Sequence, residues 1–392
     1  MIIKINRDAW TKVRKVWTSS MDPTGFDEAN PTFRGDISFA DGTPGVLTIE
    51  PQGGETYFNI WINGVEFRKT SAETINLANT EGLHYIYYDI DLTLKELVNP
   101  SDQQIALGIR SSVFVAIIYW DLTNQKHIWF NDERHLNQMD GSTHANLHFS
   151  LGTQWRAGGA LGDFVLGDGN DNEDAQFSYG TGTIQDEDIS NTESNIASTV
   201  GYPILYLDNG NWRTKTQAGF PIMTDVTAGI DTTGRTVYND FTTPGSETLV
   251  VVGDKEFVLV HILQTNGAVT GSKVWAVMGQ ETYEKKKDAR LGATTEVNNL
   301  ITRGLPGPEF MFLGSVIMEV KNGYGNAVKA RVIDTDLGDD YVDWRTGTGL
   351  SPTSPATSHS ALSELTNDDH TQYVLADGTR RDEEAIRYSW LG

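Results

Sequence analysis

Twice in this chain two short β-like runs flank an Asn-Gly step, and nothing else in the sequence constrains the fold as strongly. Tyr57-Phe58-Asn59-Ile60-Trp61-Ile62 passes through Asn63-Gly64 into Val65-Glu66-Phe67-Arg68. Pro203-Ile204-Leu205-Tyr206-Leu207 passes through Asp208-Asn209-Gly210 into Asn211-Trp212-Arg213-Thr214. Asn and Gly tolerate the positive φ that a tight two-residue turn needs, so both stretches are predicted as antiparallel hairpins. Further strands are expected at 46–49, 83–91, 112–120 and 127–130 around the first hairpin, and at 248–252, 256–263 and 273–278 after the second. Segments 310–320 and 327–333 are expected to close the second unit as a hairpin. The best helix candidate in that half is 281–303, stopped by Gly304 and Pro306. The predicted fold class is therefore mainly β: two antiparallel β-sandwich or barrel-like domains with short helices and a flexible C-terminal segment.

The segments between these runs set the organisation. Residues 1–32 form an N-terminal anchoring segment, in which Trp10, Val13 and Trp17 fall on one stripe of a short amphipathic helix. That stripe packs on the chain's own first domain or docks on a neighbouring protein. Residues 33–130 make the first β domain and 201–345 the second, with its one helix. Between them, 131–200 is rich in Gly, Asn and Asp without sustained apolar runs, and reads as a long loop or interface region, preferably one whose contacts come from another chain. Residues 346–358 are a Ser/Thr/Pro linker, and 359–392 a C-terminal segment too small for a core of its own.

Charge and composition remove several function classes. The net charge of −23 repels phosphate, so neither nucleic acid nor anionic lipid is an expected partner. Only the first twenty residues run against this, with Lys4, Arg7, Lys12, Arg14 and Lys15 facing Asp8 alone. The chain contains no cysteine, which excludes disulfides and thiolate ligation. No apolar run is long enough for a membrane span or a secretion signal, so the chain is expected to be made soluble, in the cytoplasm.

Candidate chemistry is sparse. His127, His135, His144 and His148 lie close together in sequence, and His144 and His148 would share one face of a helix. Ala145 stands where a zinc-protease motif needs Glu, so these histidines are assigned to polar packing or interface hydrogen bonds, with a metal shared between copies of the chain as the alternative. Asp168, Asn170, Asn172 and Asp174 alternate like a calcium loop, but Glu173 occupies the position of the turning Gly. A looser Ca²⁺ site there, or at Asp334, Asp336, Asp339 and Asp340, competes with a plain solvated acidic loop. With 53 carboxylates in the chain, no catalytic acid pair can be singled out, and no GxSxG, phosphate loop or dinucleotide fingerprint occurs. Trp155 and Trp212, expected on loops, could stack on sugars, but core or interface packing is the favoured reading. The expectation is no catalytic residue, no metal and no cofactor.

The C-terminal stretch HSALSELTNDDHTQYVLADGTR resembles a segment of bacteriophage tail fibres and related virion proteins: His-x-x-Leu-x-x-Leu, then Asp-Asp-His-x-Gln-Tyr, then Asp-Gly-Thr-Arg. The matching residues include His359, Leu362, Leu365, Asp368, Asp369, His370, Gln372, Tyr373 and Asp377 to Arg380. The resemblance implies a structural component of the virion tail: a homotrimeric tail fibre, short fibre or baseplate adaptor contacting other tail or baseplate proteins. It implies no enzyme. In fibres the segment precedes further shaft or tip sequence, whereas here twelve residues follow it, which favours a connector or short fibre. Leu362, Leu365, Asp368, Asp369, His370, Gln372 and Tyr373 are then the self-association or partner-docking residues. The alternatives are a protein that binds or degrades host surface polysaccharide, and a head or neck decoration.

Overall fold

The runs with the longest uninterrupted apolar character become the central strands of two sheets. Val113–Asp121 is buried along its whole length, and so is Phe310–Val320. A strand covered on both faces needs no alternation of polar and apolar residues, which is why both segments lack it. The computed structural model describes residues 22–27, 35–267 and 273–345. These are mainly β, in antiparallel sheets with few helices, and no sheet among the described residues closes into a barrel.

The first sheet has the strand order Lys126–Asp132, Val113–Asp121, Gly82–Tyr88, Leu94–Val98. Two three-stranded sheets accompany it: Gly25–Phe26 with Phe58–Ile62 and Val65–Lys69, and Asp36–Ala40 with Val46–Glu50 and Glu73–Asn76. Phe26, Leu47, Ile49, Phe58, Ile60, Ile86, Ile118 and Trp120, drawn from all three sheets, fill one core. The second large sheet has the order Asn211–Thr216, Pro203–Asp208, Val274–Met278, Glu256–Thr265, Phe310–Val320, Ala330–Ile333, with Val342–Asp343 also paired to Phe310–Val320. Its one parallel pair joins Pro203–Asp208 to Val274–Met278. Both predicted Asn-Gly hairpins are present, with Ile62 opposite Val65 and Asp208 opposite Asn211. The turn residues sit at φ 50° and 76° in the first and 49° and 80° in the second.

A third apolar cluster draws on both halves. Tyr119, Ile128 and Trp129 of the first sheet meet Leu205, Trp212, Leu263, Phe310 and Phe312 of the second. Trp129 stands edge-on to Phe310 at 5.5 Å and to Trp212 at 6.3 Å, and the Tyr119 hydroxyl accepts from the Trp212 backbone N–H at 2.9 Å. Trp212 is thus a core residue, not an exposed loop aromatic.

Three helices of ten residues or more occur among the described residues: α1 (Asp102–Ser111), α2 (Gly141–Ser150) and α3 (Lys286–Thr302). The sequence reading anticipates only α3. The region 131–200 is not the long loop that its composition predicts. It contains α2 and a three-stranded sheet of Thr153–Gly158, Gly182–Asp186 and Ile189–Glu193. Its buried positions are occupied in large part by polar side chains, so the apolar periodicity that would reveal these elements is weak.

Helix α2 is fixed at its start by Asp140, whose carboxylate accepts from the backbone N–H groups of Ser142 (2.9 Å) and Thr143 (3.1 Å). Its first residue, Gly141, lies against the end of α1, where a β-carbon would come within 2.6 Å of the Ile109 carbonyl oxygen. Gly141→Ala should therefore force α1 and α2 apart and cost about 1–3 kcal/mol. Gly53→Ala, where a β-carbon meets nothing within 4 Å, should stay within about 0.5 kcal/mol of the parent. Urea unfolding of the two variants checks the contrast.

Candidate metal centre

Four separate segments bring charged side chains to one enclosed point. Glu133 and His135 follow directly after strand Lys126–Asp132. His144 and His148, one helical turn apart, come from α2. Asp186, Glu187 and Asp188 form the turn between Gly182–Asp186 and Ile189–Glu193, and Glu309 ends the 3₁₀ turn Gly307–Glu309 that leads into Phe310–Val320.

Each segment is held by its backbone. Glu133 donates its N–H to Val115 O (3.1 Å), and His135 O accepts from Phe26 N (2.8 Å). Ala145, the residue that breaks the zinc-protease pattern, packs with Tyr85, Ile105 and Ile109 and so turns the two flanking histidines inward. Glu187 sits at φ 40°, a conformation sparsely used outside Gly and Asn. Thr265 Oγ1 donates to the carbonyl of Glu309 (3.0 Å), and Thr153 Oγ1 to that of Pro308 (2.7 Å).

The side chains themselves are covered: His135 and His148 are 2% exposed, and Glu133, Glu187 and Glu309 are fully buried. Some partners are conventional. His135 Nδ1 lies 2.7 Å from Asp188 Oδ1, and Asn266 donates to Asp186 Oδ2 at 2.9 Å. The atoms facing the centre have none. Both carboxylate oxygens of Glu133, Glu187 and Glu309, Oδ1 of Asp186, Nε2 of His135 and His144, and Nδ1 of His148 are buried without a hydrogen-bond partner. Such atoms normally cost about 1–3 kcal/mol each and are rare in native proteins, so this concentration requires a chemical reason.

The electrostatics express the same conflict. Burial, reinforced by Glu187, pushes the Asp186 carboxyl up to about 8. Burial beside Glu133 and Asp186 pushes Glu309 well above the ordinary carboxylate range, and burial raises Glu187 as well. Burial opposes charge on His135, but Glu187 and Asp188 outweigh it and hold the imidazole well above its usual value. His144 is pushed well below its usual value by burial and then by the neighbouring His135 and His148, and burial also lowers His148.

Two ligand sets emerge: His135, His144 and Glu187, and Glu133, His148 and Glu309. Within each, one ligand atom per residue lies within 4.8 Å of the others. Chemically, such an arrangement is suited to coordinating cations. Of the histidines singled out from sequence, three converge here. His127 does not, and pairs with Asp41 at 2.8 Å. Sequence reasoning missed Glu133, Asp186, Glu187 and Glu309, which no local motif distinguishes among the chain's many carboxylates.

The other candidates are accounted for by ordinary bonds. Asp174 Oδ2 accepts from Gly169 N (2.7 Å) and Asp168 Oδ1 from Asn170 N (3.1 Å), which brace their own loop, and Asn172 Oδ1 accepts from Ala327 N (3.0 Å), which ties the loop to a distant turn. Asp334 pairs with Lys286 at 2.9 Å, and Asp336 lies 3.6 Å from Arg290. His261 stands between Ser315 (2.7 Å) and Glu296 (3.0 Å), in the style of a nucleophilic triad. All three are buried, however, and Ser315 Oγ also accepts from the Trp344 indole at 2.8 Å. Glu296 further accepts from Gln280 N (2.8 Å) and Tyr283 Oη (2.7 Å), which makes this a satisfied core network without access for a substrate. The sequence-derived residues Trp10, Val13 and Trp17, and Leu362, Leu365, Asp368, Asp369, His370, Gln372 and Tyr373, lie outside the described residues. No helix among the described residues is long and apolar enough to cross a membrane.

Comparisons with protein-family models, with curated proteins and with solved structures return no match to this chain.

The Glu296 network supplies a direct check on core energetics. Glu296→Ala strands the His261 imidazole, the Tyr283 hydroxyl and the Gln280 N–H together and should cost about 3–5 kcal/mol. Ser315→Ala should cost about 1–3 kcal/mol, both read from urea unfolding midpoints.

Proposed function

We propose that this chain is a structural component of a bacteriophage virion: a trimeric tail fibre, short fibre or baseplate adaptor that links the tail to host-attachment components. The observation that carries the reading is the C-terminal sequence HSALSELTNDDHTQYVLADGTR, which resembles a segment of tail fibres and related virion proteins. A mainly β body supports it, because stacked antiparallel sheets give the stiff, richly bonded surfaces from which particle appendages are assembled. The charge of −23 supports a role in contacts among proteins rather than in holding the genome.

In this reading the basic N-terminal segment anchors through Trp10, Val13 and Trp17. The C-terminal segment joins copies through Leu362, Leu365 and Tyr373, whose apolar surface is too small to form a core within one chain. Binding of host polysaccharide is the second reading, and the feature favouring it is Trp155, 36% exposed with its indole N–H already engaged by Gly158 O at 2.9 Å.

Light scattering of the purified chain should give three times the 43.3 kDa protomer mass, and Leu362→Asp combined with Tyr373→Asp should yield monomers. Cryo-EM of particles with the chain labelled should place it on the tail. A monomeric parent chain that is absent from particles would sink the proposal. Binding to host envelope glycans that is lost in Trp155→Ala would favour the second reading.

A further inference from the structure

We propose that the buried chamber is a centre for two divalent first-row transition-metal ions, one on His135, His144 and Glu187 and the other on Glu133, His148 and Glu309, and that these ions clamp the fold. The inference does not depend on the particle assignment.

Spacing is the first argument. His135 Nε2 lies 3.3 Å from Glu187 Oε2 within the first set, and His148 Nε2 lies 3.5 Å from Glu309 Oε1 within the second. These separations are long for hydrogen bonds. Ligand atoms set tetrahedrally around an ion at about 2.0–2.2 Å stand roughly 3.3–3.6 Å apart, which is the separation found. His148 faces Glu187 Oε1 with Nδ1 and Glu309 Oε1 with Nε2, so both of its ring nitrogens look into the chamber.

Orientation is the second. Metal-ligating histidines characteristically engage a carboxylate through the other ring nitrogen, which fixes the ring and raises its basicity. Asp188 does this for His135, at 2.7 Å from Nδ1, and is itself fixed by the Leu136 N–H at 2.8 Å. Nε2 is thereby left aimed into the chamber without a partner.

Charge is the third. With Asp188 set against His135, the remaining carboxylates Glu133, Asp186, Glu187 and Glu309 would carry four negative charges once ionised, which two divalent ions match. A set mixing imidazole with carboxylate suits zinc, manganese or iron, whereas calcium and magnesium prefer oxygen alone. Closure of the chamber indicates the role. His144 is 6% exposed and the other ligand side chains 2% or less, so a substrate has no route to an ion held there. Here the ligands come from four segments, and tying them together fixes α2 and the 182–193 hairpin to both large sheets.

Elemental analysis of the full-length chain, produced in cells and passed through gel filtration in metal-free buffer, should find two transition-metal ions per chain. Stripping them with dipicolinate and EDTA should lower the melting midpoint by roughly 10 °C, and zinc or manganese should restore it. His144→Ala and Glu309→Gln should each lose one ion or both, while His127→Ala, outside the chamber, should keep two. Should the chamber variants fail to fold, the metal content and chelator response of the unaltered chain still decide. A content of one ion or none, calcium or magnesium alone, or two ions whose removal leaves the midpoint unchanged would each overturn the proposal.

Discussion

A carboxyl group leaves water as an ion only at a cost of several kcal/mol, and this chain buries four carboxyl groups together with three imidazoles in one place. The architecture around that place follows from this constraint. Strand Lys126–Asp132 ends there, α2 starts beside it, the turn at Glu187 adopts a left-handed conformation to reach it, and the strand Phe310–Val320 begins from it. Other regions of the molecule are conventional antiparallel sheet packed through aliphatic and aromatic side chains. Here alone among the described residues do so many buried polar atoms lack partners together.

The contrast with His261, Ser315 and Glu296 makes the point sharper. That trio is equally buried, yet each polar atom facing inward is answered by another: Trp344, Gln280 and Tyr283 complete the network. A polar group in a core is tolerable when satisfied, and then contributes rigidity and uniqueness to the packing. The chamber is built from the same residue types with the opposite outcome, and the difference lies in geometry rather than composition.

The sequence revealed the parts of the fold whose signals are local. Two Asn-Gly turns specified two hairpins, and the segment 310–320 was read with the bounds at which the strand Phe310–Val320 is found. Helix α1 carried a readable but overlooked signal, the capping box of Ser101 with Gln104. Helix α2 carried almost none, because the face it buries bears Ala145, His144 and His148 in place of large aliphatic residues. The hairpin around Glu187 lacked the Gly or Asn that marks a turn. As for the candidate site, the clustering of histidines was visible, but the choice of three among four depended on the tertiary fold, with His127 diverted to Asp41. The carboxylates were invisible for a simpler reason: Glu133 and Glu309 stand at the ends of strands in different sheets and come together only where those sheets pack, and such proximity leaves no mark at either position.

That separation has a consequence in time. Glu309 emerges from the ribosome long after Glu133, so for most of its synthesis the chain holds an incomplete set of these groups, in water and fully hydrated. The first sheet can form meanwhile, since its strands are neighbours in sequence. The aromatic seam of Trp129, Trp212 and Phe310 cannot, and neither can the chamber beside it. Contacts between residues this far apart in sequence form slowly, because the intervening chain must first give up its freedom. The joint between the two halves therefore cannot be completed until the strand Phe310–Val320 has been made, late in the synthesis of the described residues.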